Sequence, residues 1–235
     1  MYMKRIGIIV AMQEELVFAK GPKAEDINEK EIRHITFIEG KVEEKNVVLV
    51  QCGIGKVNAA MVTQALIDSY SIEYIVNIGV AGALNPMLNI GDVVIADKLI
   101  QHDFDITAFG HSKGYITGVG DFIQTDENLR NKLEKLNHNN KDNDYKIKLG
   151  IIASGDIFCT DIEMKNKIYS KFDADCVEME GAAIAQVCYL NEIPFVVMRS
   201  ISDSPNGKNA ITFDKFLKIA SKRIANLLVE FIKEN

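Results

Sequence analysis

Short runs rich in β-branched residues alternate along this chain with stretches of helical period, and that alternation restricts the fold more than any other feature. Strand patterns occupy residues 5–11, 32–39, 47–52, 74–80, 93–96, 148–153, 175–178 and 195–201. Helical patterns occupy 57–69, 161–171, 181–191 and 212–233. In the last of these, Phe213, Phe216, Leu217, Ala220, Ile224, Leu227, Leu228 and Phe231 recur mostly at steps of three and four, which predicts a helix docked on a sheet. Strands that alternate with helices pair in parallel through right-handed crossovers, while the neighbouring strands of the first third add an antiparallel ribbon. The expected class is α/β, with a mixed central sheet flanked by helices in three layers.

The length of 235 residues lets such a fold bury about 70% of its unfolded surface, enough for one sizeable core. No repeat or second domain is visible, so one domain over residues 1–235 is expected. The Asn/Asp-rich segment 137–144 reads as an exposed loop, because strand patterning resumes directly after it. Apolar residues make up 47% and charged residues 26%, which excludes a disordered or collagen-like chain. The net charge of −6 advertises no basic surface for nucleic acid or anionic lipid. The apolar stretch from Ile6 to Met12 is far below a membrane span and runs into Gln13-Glu14-Glu15 without a cleavage site, so no membrane partner and a cytoplasmic location are expected. Cys52, Cys159, Cys176 and Cys188 show no CxxC pairing and read as buried thiols in a reducing compartment. Helix 57–69 is apolar on nearly all sides, as a helix buried within the fold or against a second copy would be, and a homodimer is expected.

Two glycine clusters, Gly53-Ile54-Gly55-Lys56 and Gly79-Val80-Ala81-Gly82, end predicted strands, where open α/β sheets bind ligands. Neither completes a nucleotide fingerprint. A P-loop requires a glycine and a hydroxyl where Val50 and Val57 stand, and a dinucleotide turn requires a glycine at Asn58. Tight turns explain both clusters equally well. Carboxylates just past strand ends are a sharper signal: Glu15 after the first strand, Glu178 and Glu180 around the seventh, Asp203 after the eighth. A buried acid in such a place is costly unless paired or used. Glu178 and Glu180, two residues apart, project to one side of an extended chain and repel each other. Glu180 also fits the opening of a helix at Gly181, and Asp203 also fits simple turn chemistry.

Six segments carry a resemblance over nearly the whole chain: residues 6–15 (Ile-Gly-Ile-Ile-Val-Ala-Met-Gln-Glu-Glu), 53–60 (Gly-Ile-Gly-Lys-Val-Asn-Ala-Ala), 107–110 (Thr-Ala-Phe-Gly), 154–156 (Ser-Gly-Asp), 177–183 (Val-Glu-Met-Glu-Gly-Ala-Ala) and 199–203 (Arg-Ser-Ile-Ser-Asp). Each is weak alone. In this order and at these intervals the set resembles the 5′-methylthioadenosine/S-adenosylhomocysteine nucleosidases, which have the nucleoside phosphorylase fold.

The resemblance implies hydrolysis of an N-glycosidic bond in an adenosine-type nucleoside, with no metal or organic cofactor. Adenine is a poor leaving anion and the ribose becomes cationic in the transition state, so an acid, a water-activating base and ribose acceptors are required. By the resemblance Asp203 protonates the base at N7, Glu15 activates water, and Glu180 with Met179 holds the ribose. Asp203 is expected to act as an acid through apolar strand-end surroundings that raise its pKa. Ser202 orients Asp203, Glu178 assists with the water, Phe158 stacks on adenine, Cys159 meets the base through its backbone, and Ile54 and Gly82 complete the substrate contacts. Met12, Phe213 and, from a neighbouring subunit, Phe109 line the 5′-alkylthio pocket. Taken alone, Met12 and Phe213 read equally as core packing. The chain departs from the family pattern at Val80, Cys159 and Thr117, positions that bear on the 5′ substituent. Two alternatives remain at this level: a phosphate-dependent purine nucleoside phosphorylase and a non-catalytic nucleoside-binding sensor. No arginine falls within a glycine turn, and a carboxylate at Glu15 repels phosphate, so water is the favoured nucleophile.

Overall fold

The structure is a computed structural model that describes residues 4–20, 24–139, 145–204 and 209–234. The side chains of 209–215 lie outside that description. In chain order the elements are β1 (Arg5–Val10), α1 (Gln13–Lys20), β2 (Ala24–Ile32), β3 (Ile35–Val42), β4 (Lys45–Gln51), α2 (Lys56–Ser69), β5 (Ile72–Ala83), β6 (Val93–Gln101), β7 (Ile123–Gln124), α3 (Glu127–Asn139), β8 (Ile147–Ser154), α4 (Ile162–Phe172), β9 (Cys176–Glu178), α5 (Gly181–Leu190), β10 (Phe195–Asp203) and α6 (Asn209–Glu234). A short 3₁₀ turn spans Thr107–Phe109.

The strands form one mixed sheet, as the alternation predicts, in the order β10-β6-β8-β9-β5-β1-β4-β3-β2 with β7 paired to β6. β10 also pairs with β5, so β5, β10, β6, β8 and β9 close into a ring from which β1, β4, β3 and β2 extend. β1 lies parallel to both β4 and β5, and β2, β3 and β4 form the antiparallel ribbon. Two buried clusters flank the sheet. One gathers Ala59, Val62 and Leu66 of α2 with Ala182, Ile184 and Cys188 of α5. The other gathers Leu129, Leu133 and Leu136 of α3 with Ile224, Leu227, Leu228 and Phe231 of α6, so the C-terminal stripe docks as expected.

Several boundaries differ from the sequence reading for identifiable reasons. The run 32–39 joins the end of β2 to the start of β3, with a two-residue hairpin turn at Arg33 and His34, whose φ values are 53° and 63°. Such a turn usually advertises itself by Asn-Gly or Asp-Gly, and Arg-His does not. β2 itself, Ala-Glu-Asp-Ile-Asn-Glu-Lys-Glu-Ile, is too charged for a strand pattern because it is an outer strand of the sheet, where charge discourages pairing with other chains. Residues 137–139 close helix α3 rather than open a loop, and 140–144 lie outside the described residues. Among the described residues no helix is long and apolar enough to cross a membrane.

Candidate active site

The carboxyl ends of β1, β5, β9 and β10 converge on a cavity of about 290 Å³. Its lining includes Met12, Glu15, Ile54, Gly82, Phe158, Cys159, Glu178, Met179, Glu180, Ser202 and Asp203, so eleven of the thirteen residues named from the sequence meet in one place. Val80 and Ala81 of β5 complete that wall. Phe109 is 82% exposed and lies outside this lining. Phe213 lies in the first turns of α6, and its side chain is outside the described residues. Thr117 is exposed and does not line the cavity.

Glu15 is the third residue of α1 and turns back to accept hydrogen bonds through Oε2 from the amides of Ala11 and Met12, both at 2.9 Å. This is half of a capping box, in which an N3 carboxylate satisfies the amide at the helix start. Oε1 accepts from the Val80 amide at 3.1 Å, tying the helix to β5. Burial pushes the Glu15 carboxyl above the ordinary carboxylate value, against the amide bonds and the charge of Arg199.

Glu178 and Glu180 take different partners. Glu178 Oε2 accepts from the amides of Glu180 at 3.0 Å and Gly181 at 2.7 Å, so Glu178 rather than Glu180 caps α5. It also accepts from Arg199 Nη2 at 2.5 Å, and its Oε1 accepts from Ser154 Oγ. With both oxygens occupied, this carboxylate is committed to holding the helix and the arginine. Glu180 Oε1 accepts from the Gly55 amide at 2.9 Å. Burial, and next the charge of Glu178, push Glu180 up to about 7, the mutual repulsion that the two-residue spacing predicts.

Arg199, to which the sequence assigns no role in the site, is the central cation of this cluster. It is 2% exposed and also donates to Asn77 Oδ1 at 2.6 Å and to the Met198 carbonyl at 3.0 Å. An arginine inside an otherwise apolar run is the signal that could have found it, because a buried guanidinium demands a carboxylate. It pairs in register with Gly79, so the arginine absent from the glycine clusters in sequence stands beside a glycine of one cluster in space. Glu178, however, already neutralises it.

The two glycine clusters prove to serve carboxylates. Gly53 and Gly55 have φ of 81° and 99°, left-handed conformations suited to glycine, and they turn the chain so that the Gly55 amide reaches Glu180. Gly79 and Gly82 lie within β5, not in a turn. A Cβ at Gly79 would stand 2.9 Å from Glu15 Oε1, and one at Gly82 would stand 2.9 Å from Asp203 Oδ2. Their missing side chains make room for the two acids.

Asp203 departs most from expectation. Its surroundings are not simply apolar: Oδ2 forms an ion pair at 2.7 Å with Lys165 Nζ from α4, a lysine only 1% exposed. Oδ1 accepts from Ser202 Oγ at 3.1 Å. Lys165 escaped the sequence reading because it sits 38 residues away among other lysines of an amphipathic helix.

Comparison with known proteins agrees with this geometry. The phosphorylase superfamily model matches residues 5–233. The 5′-methylthioadenosine/S-adenosylhomocysteine nucleosidase of Staphylococcus epidermidis is 43% identical over 229 residues, covering 96% of this chain and 99% of that protein. A solved variant of the Helicobacter pylori nucleosidase, with 5′-methylthioadenosine in its active site, superposes with a TM-score of 0.93 at 34% identity, covering 99% of each chain. A futalosine hydrolase from the same organism superposes with a TM-score of 0.94 at 33% identity, again covering 99% of each. The shared fold, the coverage and these identities agree: the chain belongs to the phosphorylase superfamily and, within it, to the 5′-methylthioadenosine/S-adenosylhomocysteine nucleosidase family.

Proposed function

We propose that this protein hydrolyses the N-glycosidic bond of 5′-methylthioadenosine and S-adenosylhomocysteine, and of 5′-deoxyadenosine, to adenine and the corresponding 5-substituted ribose. The observation that carries the reading is the charge balance of one cavity: Glu15, Glu178 and Glu180 surround a single arginine already paired with Glu178. A phosphate would meet net negative charge there, whereas water meets a hydrogen-bond acceptor. This favours hydrolysis over phosphorolysis, and an acid and a base on one sugar-sized cavity favour catalysis over sensing.

In this reading Asp203, oriented by Ser202, gives a proton to N7, so the C1′–N9 bonding pair leaves with a neutral base. Glu15 takes a proton from the water that attacks C1′. Its pKa, raised by burial, makes it a better base than an exposed carboxylate. Glu180 accepts from the ribose hydroxyls, and Met179 packs under the sugar. Phe158 stacks on adenine, with Ile54, Gly82 and Cys159 around the base. Met12 and Phe213 contact the 5′ substituent. The 5′ pocket is completed by Phe109 of a second copy in a homodimer, which the exposure of Phe109, Val57 and Met61 supports. One catalytic domain in the cytoplasm fits the four free, buried thiols.

The deciding assay measures free adenine in phosphate-free buffer with 5′-methylthioadenosine, S-adenosylhomocysteine, 5′-deoxyadenosine and futalosine as a panel. Release from the first three without phosphate is expected. A strict phosphate requirement establishes the phosphorylase instead, and tight binding without turnover establishes a sensor.

A further inference from the structure

Lys165 has no part in the reading above, yet it is a fully buried ammonium in contact with the residue assigned as the acid. Its Nζ clamps two successive residues at the tip of β10, donating to Asp203 Oδ2 at 2.7 Å and to the Ser204 carbonyl at 3.1 Å. It comes from α4, whose start is fixed by Asp161, the N-cap that accepts from the amides of Glu163 and Met164. Lys165 is absent from the cavity lining, whereas Asp203 and Ser202 belong to it. The ammonium therefore reaches the acid from behind the pocket.

The two oxygens of Asp203 are consequently unequal. Oδ2 cannot leave its partner without breaking a buried ion pair and stranding a charge. Among the described residues Oδ1 accepts only from the Ser202 hydroxyl at 3.1 Å, and that hydroxyl has the Ala81 carbonyl as an alternative acceptor at 3.3 Å. Rotating one hydroxyl hydrogen frees Oδ1 with no movement of heavy atoms.

We propose that Lys165 is a positioning residue for base protonation: it pins Oδ2 and leaves Oδ1 as the oxygen that delivers the proton to the leaving base. The inference rests on the nucleosidase reading. In the step, Asp203, ionised in its pair with Lys165, first takes a proton from solvent at Oδ1; that Oδ1–H bond then breaks and its electron pair stays on Asp203. The N7–H bond forms, and the C1′–N9 pair passes to the base. The carboxylate left behind stands 2.7 Å from the Lys165 ammonium. A neutral carboxyl gains little from that ammonium and a developing carboxylate gains much, so the contact strengthens towards the transition state and acts on kcat rather than on substrate binding.

The test is steady-state hydrolysis of 5′-methylthioadenosine by Lys165→Met, Lys165→Gln and Lys165→Arg, with folding followed by thermal melting. Folded Lys165→Met or Lys165→Gln is expected to lose kcat by about 10- to 100-fold with KM within about threefold, while Lys165→Arg keeps most of the activity. Lys165→Gln serves if the methionine variant does not fold. In an Asp203→Asn background the same lysine substitution is expected to cost no further kcat, since its action passes through the carboxylate. A folded neutral variant within twofold of wild-type kcat, a loss confined to KM, or full additivity with Asp203→Asn overturns the proposal. Failure of the nucleosidase reading is distinct, because the wild-type protein would then release no adenine.

Discussion

Glu180 carries a cost that follows from its position. Burial first, and the neighbouring Glu178 second, raise it to about 7, so between about pH 4.5 and 7 the folded chain holds a proton that the unfolded chain has released. Stability contributed by this residue is therefore lost as pH rises through that window. Glu180→Gln keeps an acceptor for the Gly55 amide and removes the charge. At about pH 8 this variant is expected to be more stable than wild type by on the order of 2 kcal/mol, with the gain fading by about pH 5. It is also expected to lose kcat/KM, because the ribose hydroxyls lose an ionised acceptor. Melting curves at the two pH values decide the matter: an equal gain at both denies that Glu180 is the titrating group.

At the scale of elements, β5 brings the chemistry together. It pairs with β1, β9 and β10, and two of its glycines leave space for side chains that enter from α1 and from β10. Gly82→Ala is the incisive variant. The added methyl stands 2.9 Å from Asp203 Oδ2, an oxygen that the Lys165 ion pair prevents from retreating. The carboxyl must tilt, and kcat is expected to fall by about 10- to 100-fold, with about 1–3 kcal/mol lost in stability. Steady-state kinetics beside a urea unfolding curve separates these effects, and unchanged kcat shows that the acid has freedom which this packing denies it. The helices α1 and α5 contribute their N-termini, which supply the amides that hold Glu15 and Glu178.

Over the whole molecule, one face remains apolar and open. Val57 and Met61 on α2 are 79% and 55% exposed, whereas Ala59, Val62 and Leu66 of the same helix are buried in the cluster shared with α5, and Phe109 stands out from its turn. Such a face suits a second copy of the chain. Met61→Lys touches little of the core and is expected to give a monomer of about 26.2 kDa in sedimentation velocity, with adenine release reduced because Phe109 no longer completes the neighbouring 5′ pocket. A wild-type chain that sediments as a fully active monomer refutes the shared site.

By itself the sequence determined the alternation of strands and helices, the antiparallel ribbon, the docking stripe of α6 and the carboxylates at strand ends, because periodicity and apolar runs are local properties. It concealed β2, whose charges suit an outer strand, and the Arg33-His34 turn, whose residues carry no turn signature. Only the tertiary structure decided which cation neutralises which acid. Arg199 finds Glu178 across 21 residues and Lys165 finds Asp203 across 38, and no local pattern encodes such pairs. It also decided why Gly79 and Gly82 must lack side chains, since the atoms that need their space arrive from other elements. Burial makes each of these choices obligatory: a charge removed from water must be met by a partner at fixed distance, and only the folded chain supplies the distance.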